Sequence, residues 1–188
     1  RRQRQMCIRD RANRGEIAIR IARTCSDLGI KTVGIYSEDD ANCLHLSKVD
    51  EAYPIQGKGA QAYLDIKQII SIAKESKADF IHPGYGFLSE NSALAASAKR
   101  AKIKFIGPSE KTLKIFGDKT TAKELALSLD IPTISGTYQK TSLKQAQNFM
   151  KSLNKNSSIL IKAISGGGGR GMRVVSKLCL LYTSDAAD

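Results

Sequence analysis

Apolar residues recur along this chain at two alternating periods, and the alternation points to its class. Ile17, Ile21, Cys25 and Leu28 fall at i, i+4, i+8 and i+11, which predicts an amphipathic helix from Glu16 to Leu28, stopped by Gly29. Lys31–Tyr36 then reads as a short strand rich in β-branched residues. Helical spacing returns over Leu64–Ala73, followed by a strand at Asp79–His82. A small-residue helix at Ser89–Ala101, with Glu90 in its first turn, precedes a strand at Lys104–Gly107. Strands separated by helices of this length predict right-handed β-α-β crossovers and a parallel sheet, an α/β arrangement. Ligands of such sheets sit beyond the carboxyl ends of the strands, so the loops that follow them are where chemistry is sought.

From Asp118 the texture changes. Asp118 is placed as the N-cap of a helix over Lys119–Leu129, and Pro132 closes that stretch. A second helix is predicted over Ser142–Leu153, with Leu143, Ala146, Phe149, Met150 and Leu153 on one side. Ser158–Ala163 reads as a strand, Ser165–Gly171 as a glycine loop and Met172–Val175 as another strand, which is a hairpin and not a crossover unit. A boundary therefore falls near residues 116–137.

Composition adds limits. With 188 residues, 41% hydrophobic and 26% charged, the chain can bury a core and is neither collagenous nor wholly disordered. Its longest apolar run, Leu178–Tyr182, is far too short to span a bilayer, and no signal-peptide pattern opens it. Four scattered cysteines and two histidines make no zinc framework and suit a reduced, cytosolic compartment. The net charge of +12 calls for a partner or a dispersed surface; residues 1–11 alone hold five Arg and one Asp. Neither residues 1–11 nor residues 176–188 continue the periodic pattern, and both are read as extraneous segments.

Four stretches carry candidate chemistry. Gly166, Gly167, Gly168 and Gly169, with Arg170 and Gly171, offer unobstructed backbone N–H groups that could wrap phosphate oxygens as a flexible flap; a plain hairpin turn is the other reading. No Lys-Ser/Thr follows, so this is not a P-loop. Lys162 shares a strand face with Leu160 and Ile164, which invites an anionic partner unless the side chain simply reaches solvent. Lys119 opens a helix, where a cation is mildly unfavourable and a ligand phosphate would rationalise it; a solvated charge is the alternative. In His82-Pro83-Gly84-Tyr85-Gly86-Phe87, His82 is read as shaping the loop and Tyr85 as a ligand contact. Asn13-Arg14-Gly15-Glu16 has one glycine where a dinucleotide fingerprint has three, so NAD is not supported.

Taken together, ANRGEIAIRI (residues 12–21), HPGYGFLSEN (82–91), FIGP with GDK (105–108, 117–119) and IKAISGGGGRGMRVV (161–175) closely resemble biotin carboxylase, the ATP-grasp component of biotin-dependent carboxylases. The resemblance implies a Rossmann-like parallel-sheet biotin carboxylase N-terminal domain over 12–116, then a partial ATP-grasp domain with its glycine-rich lid over 117–175. It implies that ATP phosphorylates bicarbonate and that carboxyphosphate supplies CO₂ to carrier-linked biotin. Lys119, Lys162, Gly166–Gly169 and Met172 would bind ATP, Tyr85 and Gly86 would lie near the biotin-side cavity, and Arg20 and Arg23 near a homodimer contact. Mg²⁺ or Mn²⁺ ligands, the bicarbonate arginine and the general base are expected beyond residue 188, so no catalytic or metal residue is assigned here and the chain by itself is expected to be inactive. The implied partners are a biotin carboxyl carrier domain and a carboxyltransferase, with neither nucleic acid nor membrane. The implied setting is the cytosol or the mitochondrial matrix, with fatty acid synthesis among the fates of the product. Against the family, QMCIRDR stands where an apolar first strand is expected, so that strand is predicted to be missing. Another ATP-grasp ligase would lack HPGYGFLSEN, and a basic nucleic-acid-binding module would need stacking aromatics that are not clustered here.

Overall fold

The computed structural model describes residues 8–11, 13–137, 141–154, 157–162 and 171–177. They fall into two compact units, 1–117 and 118–188.

The first unit is built on parallel strands. β1 (Ile8–Arg11), β2 (Thr32–Tyr36) and β3 (Glu51–Pro54) form one ladder in that order. β4 (Phe80–Ile81) and β5 (Lys104–Phe105) form a second parallel pair, and β4 lies alongside β1. The spatial order is therefore β3-β2-β1-β4-β5. The chain steps outward from β1 through β2 to β3 and then crosses to β4 on the other side, which puts a topological switch point between β1 and β4.

The helices follow the periodicity closely: α1 (Gly15–Asp27), the single turn α2 (Gly59–Ala62), α3 (Ile66–Glu75), α4 (Ser92–Arg100) and α5 (Glu110–Gly117). Ile69, Ile72 and Ala73 of α3 and Leu94 and Ala98 of α4 pack with Ile35, Ile55, Tyr63 and Ile81 in one core. β2 is buried at four successive positions, as expected for a strand covered on both faces.

Three expectations are corrected. A strand does precede ANRGEIA: Ile8–Arg11 is β1 and pairs with β2, so the strand expected to be missing is present. The ladder joining β1 to β2 is made by main-chain groups, which charged side chains do not remove. Glu90 is not in the first turn of α4; Asn91 caps that helix, its side chain accepting from Ala93 N–H at 2.8 Å. β3 and α5 carry no clear period in the sequence and were not expected; Pro54 is tolerated because β3 is an edge strand.

Helix ends explain several positive φ values. Ile30 N–H bonds Cys25 O and Gly29 N–H bonds Ser26 O, a Schellman close with Gly29 at φ +66°. The same pair of bonds ends α3 around Lys77 (φ 55°) and α4 around Lys102 (φ 60°), where the residue carries a Cβ. Lys77→Gly or Lys102→Gly should therefore stabilise the unit by about 0.5–1 kcal/mol, the left-handed strain less the extra entropy of glycine. A higher urea midpoint at unchanged m-value would register the gain.

The second unit holds α6 (Lys119–Ser128), α7 (Leu143–Ser152) and the antiparallel hairpin β6 (Ile159–Lys162) and β7 (Met172–Val175). Asp118 does cap α6, accepting from Thr121 N–H at 2.8 Å. Ser142 and Gln145 form a reciprocal capping box on α7. Ile159, Val175 and Ile161 pack against Ala146, Phe149, Met150 and Leu153, so one face of the hairpin is covered by α7.

Candidate functional site

In the first unit the loops leaving β1 and β4 meet at the switch point. Asn13, 3% exposed, is the hinge of that meeting. Its side-chain N–H groups donate to Pro83 O at 2.8 Å and Tyr85 O at 2.7 Å, while its Oδ1 accepts from Arg14 N–H at 2.9 Å. Between the two clamped carbonyls stands Gly84, at φ +68°, where an added Cβ would lie 2.6 Å from Asn13 Nδ2. His82 accepts from Gly84 N–H through Nδ1 at 3.0 Å, which leaves the ring proton on Nε2 and shows His82 shaping the loop, as the sequence suggests. Tyr85 projects from this loop 62% exposed, and Gly86 beside it is exposed at φ +68°.

The far end of the same loop is fixed by charge and rings. Arg14 Cζ lies 5.5 Å from the Tyr63 ring centre and 5.9 Å from that of Phe87, and the two rings are 5.5 Å apart. Arg14 Nη1 also donates to Asp40 Oδ2 at 2.9 Å. That oxygen accepts from Tyr63 Oη at 2.7 Å and faces Ser37 Oγ at 3.1 Å, while Oδ1 accepts from Cys43 Sγ at 3.3 Å. Burial pushes the Asp40 carboxyl up, but the hydrogen bonds from Tyr63, Arg14, Cys43 and Ser37 outweigh it and bring its pKa down to about 2. Burial first, and then the bond to Asp40, raise the Tyr63 phenol, so it stays a donor at all ordinary pH. Asp40 and Tyr63 carry no motif of their own in the sequence; the acidic run after β2 and a lone tyrosine are ordinary until the fold brings them under Arg14.

In the second unit the hairpin brings two of the sequence candidates together. Lys162 is directly opposite Met172, and Leu160 opposite Val174, so the four share the face turned away from α7. That face is open: Leu160, Met172 and Val174 are exposed apolar residues with one ammonium among them. Lys119 is exposed at the first position of α6. Gly166–Gly169 and Arg170 lie outside the described residues, as do residues 1–7 and 178–188. Arg20 and Arg23 are both exposed on α1. Among the described residues no group of three His, Cys, Asp or Glu side chains could hold a metal ion, and no helix is long and apolar enough to cross a membrane.

Comparison with known proteins finds a matching family model in each unit. The family described as biotin carboxylase, N-terminal domain, matches residues 8–113, and that described as carbamoyl-phosphate synthase L chain, ATP binding domain, matches residues 118–183. The first match begins at β1. Human mitochondrial pyruvate carboxylase is 49% identical over 168 residues, and pyruvate carboxylase of Bacillus subtilis (strain 168) 50% identical over 167, each match covering 87% of this chain and 14% of the relative. The chain thus spans about a seventh of the length of these curated relatives. Among solved structures, the biotin carboxylase domain dimer of Hydrogenobacter thermophilus 2-oxoglutarate carboxylase, in complex with MgADP, ADP and bicarbonate, has a TM-score of 0.88 at 39% identity. The match covers 95% of this chain and 40% of that one. Biotin carboxylase from Campylobacter jejuni in a beta-gamma-ATP complex has a TM-score of 0.89 at 36% identity, covering 95% and 41%.

Proposed function

This chain belongs to the biotin carboxylase family, and from that premise we propose that it is the opening part of an ATP-dependent carboxylase acting on carrier-linked biotin. In this reading residues 8–116 form the N-terminal domain and residues 117–175 begin the ATP-grasp domain. ATP phosphorylates bicarbonate; carboxyphosphate then releases CO₂ for capture by the ureido nitrogen of biotin.

The pairing of Lys162 with Met172 is the observation that carries the reading. A nucleotide presents a flat apolar base and a polyanionic tail, and the open hairpin face presents apolar surface with one cation in its midst. Lys162 would hold a phosphate as a point charge, and Met172 would lie near the nucleotide with Leu160 and Val174 around it. Lys119 would add a second cation, and Gly166–Gly169 would close over the phosphates. Mg²⁺ or Mn²⁺ would neutralise charge developing on the transferred phosphoryl group, from ligands outside the described residues. Tyr85 and Gly86 would face biotin. Arg20 and Arg23 would lie near a contact with a second copy, and the Hydrogenobacter domain, which is a dimer, supports that reading. A carrier domain and a carboxyltransferase are the implied partners. The cytosol and the mitochondrial matrix both fit, and pyruvate is favoured over acetyl-CoA as acceptor by the human and Bacillus relatives.

The test joins residues 1–175 to the remainder of the Bacillus subtilis carboxylase domain. Bicarbonate-dependent ATP cleavage should appear in that protein and be absent from the 188-residue chain. Lys162→Gln should raise the KM for ATP by about tenfold or more, the loss of one charge-assisted phosphate contact. Failure of the joined protein to cleave ATP, with its fold intact, would remove the proposal.

A further inference from the structure

The hydrogen bonds of Asn13 do more than hold a loop in place. A peptide unit is planar and trans, so its C=O and N–H point in opposite directions. Because the Tyr85 carbonyl is turned inward onto Asn13 Nδ2 at 2.7 Å, the N–H of the next residue, Gly86, is turned outward. That N–H has no hydrogen-bond partner among the described residues, and Gly86 has open space where a Cβ would be. Beside it stands the exposed Tyr85 ring. The loop thus presents an unobstructed backbone donor next to an aromatic face, with its direction set from behind by a buried amide.

We infer that Asn13 is a positioning residue for the biotin-side cavity: by clamping the Pro83 and Tyr85 carbonyls it aims the Gly86 N–H at an acceptor atom of the bound cyclic urea. The inference rests on the functional reading above, which supplies the ligand. Asn13 holds the carbonyl of the peptide in question, while Ser89 N–H holds the following carbonyl, Gly86 O, at 2.9 Å. Gly84 and Gly86 both occupy left-handed backbone, His82 accepts from Gly84 N–H, and Phe87 is anchored after the peptide in question. Asparagine suits the task because one NH₂ group offers two donors to two carbonyls while the oxygen takes the neighbouring N–H; a serine has a single donor and a shorter reach.

The experiment uses the joined protein described above, with free biotin as the acceptor. In Asn13→Ser the KM for biotin should rise about tenfold or more, while the KM for ATP stays within about twofold and the melting curve remains cooperative. Asn13→Asp, nearly isosteric, sets a carboxylate against two carbonyls at neutral pH; its biotin KM should rise further and fall back toward the serine value as acid protonates it. A variant that fails to fold is bypassed by a measurement on the unsubstituted protein: with ¹⁵N-glycine labelling, the Gly86 amide signal should move on adding biotin and hold still on adding ATP. Parallel changes in both KM values, an unchanged biotin KM, or a Gly86 signal indifferent to biotin would each overturn the inference. An unsubstituted protein that cleaves ATP but carboxylates no biotin would instead bring down the functional reading and this inference with it.

Discussion

Gly84→Ala is expected to destabilise the first unit by about 4 kcal/mol, the largest single-residue effect we foresee. Two costs add. A residue with a Cβ at φ +68° carries about 1–2 kcal/mol of left-handed strain. The new methyl would also sit 2.6 Å from Asn13 Nδ2, 3.0 Å from its Cγ and 3.1 Å from its Cβ, so the buried side chain must give way as a whole. Displacing it leaves two loop carbonyls without their donor, at about 1–3 kcal/mol. Gly86→Ala supplies the control. It shares the φ of +68° but has open space around the new methyl, so about 1–2 kcal/mol is expected from strain alone. Equilibrium urea unfolding of the two variants separates the terms; equal losses would show that Asn13 is not pressed against the loop.

Asp40→Ala should cost about 3 kcal/mol, because it removes the shared acceptor of Arg14, Tyr63 and Cys43 and leaves the buried Tyr63 hydroxyl, which still accepts from Ser37 N–H, without its acceptor. Acid should reproduce much of this loss in the unsubstituted chain. Hydrogen bonds hold the carboxyl at about 2 in the fold against 3.8 ordinarily, so its contribution is complete above about pH 5 and is lost as pH falls through 2. The difference amounts to about 2 kcal/mol. Asp40→Asn should flatten that part of the profile between about pH 5 and 2, read as the unfolding midpoint at each pH. A profile as steep as the parent's would place the acid sensitivity elsewhere.

How much of this was legible in the sequence depended on where the information lay. Helices were legible because each buries one stripe: Ile21 and Cys25 in α1, with the half-buried Ile17 a turn before them, and Ile69, Ile72 and Ala73 in α3, recur at helical spacing. Caps were legible where a side chain acts on its own backbone, as at Asp118. β1 was not, because four residues with charges among them carry no period and pairing with β2 is a main-chain matter. The site divides in the same way. Tyr85, Gly86, Lys162 and Met172 could be named as candidates from local pattern and family resemblance, and the cross-strand pairing of the last two follows from a hairpin register. Asp40, Tyr63 and the clamping role of Asn13 could not, since each depends on partners far away in the chain.

That distance has a consequence for how the polypeptide is made. The bond from Asn13 to Pro83 spans 70 positions, and β4, the neighbour of β1 on that side, is no nearer. A ribosome adding about 5–20 residues per second needs some 4–14 seconds to produce the intervening stretch. Once residue 36 is made, β1 can pair with β2 while β4 is not yet there to lie alongside it, and the Asn13 amide has nothing to clamp. Birth of the first unit is therefore gated by translation through the HPGYGF segment, and slow codons placed between residues 36 and 83 would lengthen the time for which a nascent strand edge stands open to neighbouring chains.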